Sequence, residues 1–188
     1  MALELVRAVA MAENSDDFHL GRLLLLMLAI DGNNSQSVDG ITKLAKLDFL
    51  LRYPNCLERA LFAVNRSVEE ADIQAYERTT IESKMIRFKY GPWDNRYRRW
   101  IGLLVARGLI KVELDKRTVK LSLTEIGRDT AVIFSQDPAY GDIKLRSQIV
   151  KDAFGKMTSS RIKEFIYKTF PELANMKWGE EISILESN

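Results

Sequence analysis

One string of residues, 94–131, constrains this 188-residue chain more than any other. Asp94 or Asn95 can cap a helix that runs to Ala106, with Tyr97, Ile101, Leu104 and Val105 as its inner face. Gly108 suits the left-handed position that closes a helix. Two alternating runs follow, 110–114 and 117–123, placed around Asp115-Lys116. With a two-residue turn there, Ile110 faces Leu121 and Val112 faces Val119 on the buried side. Lys111 then lies across from Lys120 on the exposed side. Thr124 can cap a further helix, with Gly127 and Ala131 close in. Just upstream, Met85-Ile86-Arg87-Phe88-Lys89-Tyr90 has the period of a half-buried strand, and Gly91-Pro92 turns the chain.

The remainder reads as helices. Residues 16–30 are dense enough in leucine for a largely buried helix, capped by Ser15 or Asp16 and stopped by Asp31-Gly32-Asn33-Asn34. A helix over 41–53 shows Ile41, Leu44, Leu47 and Leu51 on one face, with Lys43 and Lys46 off it, and Pro54 ends it. Residues 55–65 form another helix presenting Leu57, Leu61 and Val64. The polar stretch 68–83 is an exposed helix or a long connection. Helices over 142–154 and 159–170, then a short 182–185 apolar run, complete the chain. The fold class is mostly α with a small β-hairpin (α+β). Its expected division is 1–135, with an inserted segment around 55–84, and a C-terminal helical extension over 136–188 packed on it.

Composition removes several chemistries. A single cysteine, Cys56, excludes an intrachain disulfide, and a single histidine, His19, argues against zinc sites and histidine relays. Cys56 and His19 read as packed residues. Asp16-Asp17 and Glu69-Glu70 are adjacent and so diverge on a helix, and no phosphate-cradling glycine loop is present. The expectation is a protein that is not an enzyme, with no catalytic residue, metal or cofactor. The greasiest run, 23–30, is far shorter than the roughly 20 residues needed to span a bilayer, and residues 1–13 lack a signal-peptide core. Cytoplasmic localisation is the corresponding expectation.

The net charge of +2 conceals an uneven distribution. Residues 1–83 hold 8 basic and 13 acidic side chains, 84–120 hold 11 and 3, and 121–188 hold 9 and 10. The middle block, net +8, carries the excess positive charge. It either attracts phosphates or an acidic protein surface, or faces solvent all round.

The helix ending in Arg107-Gly108-Leu109-Ile110, the turn Asp115-Lys116-Arg117, and Leu121-Ser122-Leu123-Thr124-Glu125-Ile126-Gly127 resemble a winged helix-turn-helix domain, here with additional N- and C-terminal helices. That fold serves DNA binding and protein docking alike. The face opposite Tyr97, Ile101 and Leu104 carries Asn95, Arg99, Gly102 and Ala106, too few polar groups for base-specific reading. Small residues there allow close approach of a protein partner. Candidate DNA- or partner-binding residues are Arg96, Arg98, Arg99, Lys111, Lys116, Arg117 and Lys120. The Lys111–Lys120 pairing is unfavourable alone; an anionic partner or a changed turn relieves it. Trp93 and Trp100 flank the basic helix, as core residues or as stacking platforms.

Three further stretches are similar to the small middle subunit of ABC-three-component systems such as the Lamassu anti-phage complexes. They are Gly40-Ile41-Thr42-Lys43-Leu44-Ala45-Lys46-Leu47-Asp48-Phe49-Leu50-Leu51-Arg52-Tyr53-Pro54, Phe88-Lys89-Tyr90-Gly91-Pro92-Trp93-Asp94 and Phe165-Ile166-Tyr167-Lys168-Thr169-Phe170-Pro171-Glu172-Leu173. The resemblance implies a non-enzymatic bridging subunit that docks an SMC-like ATPase and a nuclease-type effector. It further implies sequence-independent contact with double-stranded DNA through the complex, no membrane and no small-molecule substrate. No active-site residues carry over. Thr42-Lys43-Leu44 and Tyr90-Gly91-Pro92 are also similar to the Panacea antitoxin domain. The alternative is therefore a homodimeric winged-helix transcriptional regulator or antitoxin.

Overall fold

The computed structural model describes residues 15–32, 36–78 and 84–183, apart from the side chain of Tyr76. Expectations for 1–13, Asn33-Asn34, Ile81 and the end of the 182–185 run lie outside those residues. The fold is mostly helical with a small antiparallel sheet.

Helix α1 (Asp16–Asp31) is apolar on nearly every side, and Leu20, Leu23, Leu24, Leu26, Met27 and Ile30 are all buried. A helix of that kind needs neighbours all round. The short strand β1 (Val38–Asp39) leads into α2 (Ile41–Arg52), and Pro54 opens α3 (Pro54–Ala63). Two short 3-10 turns, Glu69–Ala71 and Ala75–Arg78, carry the polar connection. Strands β2 (Ile86–Phe88) and β3 (Gly91–Trp93) form a separate hairpin, with Ile86 opposite Trp93. The turn expected at Gly91-Pro92 is thus a strand, and the reversal falls on Lys89-Tyr90.

Helix α4 (Tyr97–Ala106) ends as its glycine requires. Gly108 takes φ +69° and donates to the Val105 carbonyl, while Leu109 donates to Leu104. Strands β4 (Ile110–Asp115) and β5 (Thr118–Leu123) follow, and β1 joins them in the order β1-β5-β4. The next helix, α5 (Glu125–Phe134), starts where Thr124 Oγ1 accepts from Gly127 N–H. Thr124 also donates through its own N–H to the Leu109 carbonyl. A Cβ on Gly127 would lie 1.7 Å from that same carbonyl oxygen, so the Thr-x-x-Gly spacing is fixed by contact between α5 and the start of β4.

Helices α6 (Gly141–Phe154), α7 (Ser159–Thr169) and α8 (Glu172–Asn175) complete the order. Helix α6 packs on α1 and α2, and α7 packs on α2 and α3. Val150, Phe154, Ile162, Ile166 and Phe170 therefore belong to one buried cluster with the α1 and α2 leucines. Among the described residues no helix is long and apolar enough to cross a membrane.

Three further local expectations fail. Lys43 and Lys46 are buried rather than off the apolar face, because α7 and the β2–β3 hairpin cover the second side of α2. Val105 is exposed, outside the buried face that Tyr97, Trp100, Ile101 and Leu104 form. The β4–β5 hairpin turns one residue later than the alternation predicts, which changes its register.

Candidate DNA or partner interface

The basic helix α4 stands on a buried charged cluster. Asp48, on α2, accepts from Arg22 Nε at 2.7 Å, from Arg22 Nη2 at 3.0 Å and from the Tyr97 hydroxyl at 2.6 Å. Arg52, one turn further along α2, donates to Asp94 at 3.0 Å. Asp94 in turn accepts from the Arg96 backbone N–H and from its guanidinium, which fixes the entry of α4. Burial disfavours the Asp94 charge, but the Arg96 hydrogen bonds and the nearby Arg52 hold the carboxyl down at about 2. His19 is fully buried, bonded to Arg22 and packed on Trp100. Trp100 is a core residue whose indole N–H donates to Asp16.

The seven candidate cations are not equally free. Arg96 lies over the Trp100 ring at 4.7 Å and is tied to Asp94. Arg99 pairs with Asp16 at 2.5 Å, and Arg107, which the sequence did not single out, pairs with Asp17 at 2.9 Å. The acidic N-terminal third thus neutralises part of the basic block in space. Arg98, Lys116 and Arg117 have no ion pair among the described residues.

In the hairpin the turn is Lys116-Arg117, one residue later than Asp115-Lys116, with Lys116 at φ +56°. That moves each pairing by two positions: Ile110 faces Leu123, and Val112 faces Leu121. Lys111 consequently opposes Ser122, and Lys120 opposes Glu113, so the expected clash between like charges does not occur. Lys111 sits 3.6 Å from Glu113, and Lys120 sits 2.7 Å from Asp115, whose hydrogen bond and charge raise the lysine's proton affinity. Ile110, Leu121 and Leu123 are buried, whereas the hairpin projects beyond the core and leaves Val112 45% and Leu114 72% exposed. With Val105 and the small Gly102 and Ala106 exposed on α4, the outer surface of this region carries apolar as well as basic side chains.

No group of three or more His, Cys, Asp or Glu side chains gathers as metal ligands would among the described residues. Comparisons with protein-family models, curated proteins and solved structures each found no match.

Proposed function

We propose that this chain is a winged-helix bridging subunit of an SMC-like ABC ATPase defence complex, acting in the cytoplasm without catalytic residues of its own. It docks the ATPase and the effector, and contacts double-stranded DNA without reading sequence. The observation that carries the reading is the β1-β5-β4 order with α4 and the β4–β5 hairpin left open to solvent. That order is the arrangement a winged helix requires, and its outward face mixes apolar and cationic side chains. Val105, Val112 and Leu114 favour a protein partner, because exposed apolar side chains gain by leaving water. Arg98, Lys116 and Arg117 supply the phosphate contacts.

Assembly tests the reading. The chain is co-expressed with the ATPase and effector candidates encoded by adjacent genes, and the complex is isolated by a tag on this chain. A ternary complex that loses its ATPase in Leu114→Asp supports the proposal. A homodimer that protects one short DNA site at physiological salt overturns it in favour of the regulator or antitoxin.

A further inference from the structure

A pocket of about 190 Å³ opens between α2, the β2–β3 hairpin and the first turn of α4. Thr42, Lys46, Tyr90, Trp93 and Arg98 line it. The Lys46 side chain is 2% exposed and has one acceptor among the described residues, the Thr42 carbonyl at 3.0 Å on its own helix. An ammonium can donate three hydrogen bonds, so two remain for a ligand. The charged group that acts most strongly on Lys46 is another cation, Lys163 of α7. Lys163 and Lys89 both sit against the Tyr90 ring, at 5.4 and 5.3 Å. Neither these three lysines nor Arg98 forms an ion pair among the described residues.

Two cations, Lys46 and Arg98, therefore line the pocket and two more, Lys89 and Lys163, flank its Tyr90 wall, none of them in an ion pair among the described residues, and Lys46 is buried. Burying a charge with no opposite charge is costly, and a like-charged neighbour adds to that cost. Burial and Lys163 together push the Lys46 ammonium down to about 8. An anionic charge in the pocket reverses both effects. The hairpin leaves room for it: Gly91 takes φ +114° and brings its backbone to the Lys46 stem, with the place of a Cβ only 3.7 Å from Cε. The walls are aromatic. Tyr90 is half exposed, and Trp93 is part-buried at the pocket edge.

We propose that this pocket binds a nucleotide, with the phosphate between Lys46 and Arg98 and the base against Tyr90 and Trp93. A phosphate monoester suits several converging cations better than a single carboxylate, because it carries up to two charges and three acceptor oxygens. Stacking of bases on aromatic side chains beside a cationic track is the usual chemistry of strand binding. The inference goes beyond the subunit reading and stands without it.

Adenosine 5′-monophosphate is titrated into the isolated full chain by calorimetry at pH 8, and tryptophan fluorescence is recorded alongside. Binding with proton uptake and quenching is expected, with adenosine at least tenfold weaker. Lys46→Met should reduce affinity at least tenfold. Arg98→Ala, at the exposed rim where folding is not at stake, should reduce it severalfold, and Lys144→Ala, on the exposed side of α6 and outside the pocket lining, should leave it unchanged. A 5′-phosphorylated single-stranded oligonucleotide that binds more tightly than the mononucleotide identifies a strand end as the source; equal affinity identifies the free nucleotide. The proposal is overturned if the mononucleotide does not bind, if adenosine or inorganic phosphate binds equally well, or if Arg98→Ala is without effect. An acidic peptide that displaces the nucleotide at equal concentration overturns it in favour of a protein ligand. None of these outcomes depends on assembly with an ATPase, so the two readings fail separately.

Discussion

Arg22 holds Asp48 through two bonds, Nε to Oδ1 at 2.7 Å and Nη2 to Oδ2 at 3.0 Å, with both side chains essentially without solvent contact. The pair joins α1 to α2 at the centre of the molecule. Tyr97 brings α4 to the same carboxylate, and Arg52 approaches it at 3.8 Å. Burial alone would raise the Asp48 proton affinity; the Arg22 charge and hydrogen bond, with Arg52 and Tyr97, reverse that and keep it ionised.

Removing the carboxylate charge takes away the 2.7 Å ion pair of the buried Arg22 and the nearby countercharge of the buried Arg52, which keeps Asp94. Asp48→Asn is therefore expected to destabilise the fold by about 3–5 kcal/mol, the usual cost of breaking a buried pair from one side. The double change Arg22→Met with Asp48→Leu should cost clearly less than the two single changes together. Urea unfolding of the four proteins measures this, and additive losses would show that the pair is not coupled.

Acid should unfold the protein through the same cluster. Asp94 has its folded value depressed from 3.8 to about 2. The unfolded chain thus takes up the proton first, and the stabilisation is present above pH 4 and lost as pH falls toward 2. At neutral pH it amounts to about 2 kcal/mol at 1.36 kcal/mol per unit. Thermal unfolding between pH 5 and pH 2 should fall steeply in the wild type and less steeply in Asp94→Asn, which begins from lower stability.

Lys46 acts in the opposite limb. Its folded value of about 8 lies below 10.5, so the folded state gives up the proton first and stability rises between pH 8 and about pH 10. Lys43, also lowered by burial, adds to the rise. Tyr53 and Tyr97 are both raised by burial, so above pH 10 they hold protons that the unfolded chain has given up. That favours the unfolded chain, so stability falls as pH rises above 10. Lys46→Met should be more stable than wild type at pH 7 and should flatten the rise from pH 8 to pH 10, as followed by melting temperature.

Among the glycines, Gly127 leaves the least room for a Cβ. Gly127→Ala places a methyl group into the Leu109 carbonyl oxygen, a backbone atom that cannot rotate away. The expected loss is about 3 kcal/mol or more. Thr124→Ala removes only the cap to Gly127 N–H and should cost about 1 kcal/mol. Denaturant midpoints separate the two; equal losses would show that α5 had moved aside to admit the methyl group.

Sequence periodicity locates the helices because their apolar faces and punctuating residues act locally. Pro54 and Gly108 end or start helices by their own backbone limits. The Thr-x-x-Gly spacing is legible for the same reason. The hairpin register is not, because it depends on which residue adopts the left-handed position, and Lys116 carries no signature for it. Lys43 and Lys46 read as solvent-facing because only the arrival of α7 and the second hairpin, over a hundred and about forty residues later in the chain, buries them. The charge blocks are visible along the chain, but Asp16 and Asp17 reach Arg99 and Arg107 only through folding.

Those ion pairs make the surface testable residue by residue. Arg98, Lys116 and Arg117 are not held by acids among the described residues, whereas Arg99 and Lys120 are. Retention on a random-sequence duplex, followed by fluorescence anisotropy across salt concentrations, should weaken most in the triple variant Arg98→Ala, Lys116→Ala, Arg117→Ala. Each phosphate that is no longer neutralised should reduce the slope of log affinity against log salt by about 0.9. Arg99→Ala with Lys120→Ala should change the slope less, because each of those charges is already matched by a carboxylate in the free protein. Leu114→Asp should disrupt a protein interface at the hairpin tip while lowering DNA retention by no more than one added negative charge allows. A triple variant with an unchanged slope would assign α4 and the hairpin to protein docking alone.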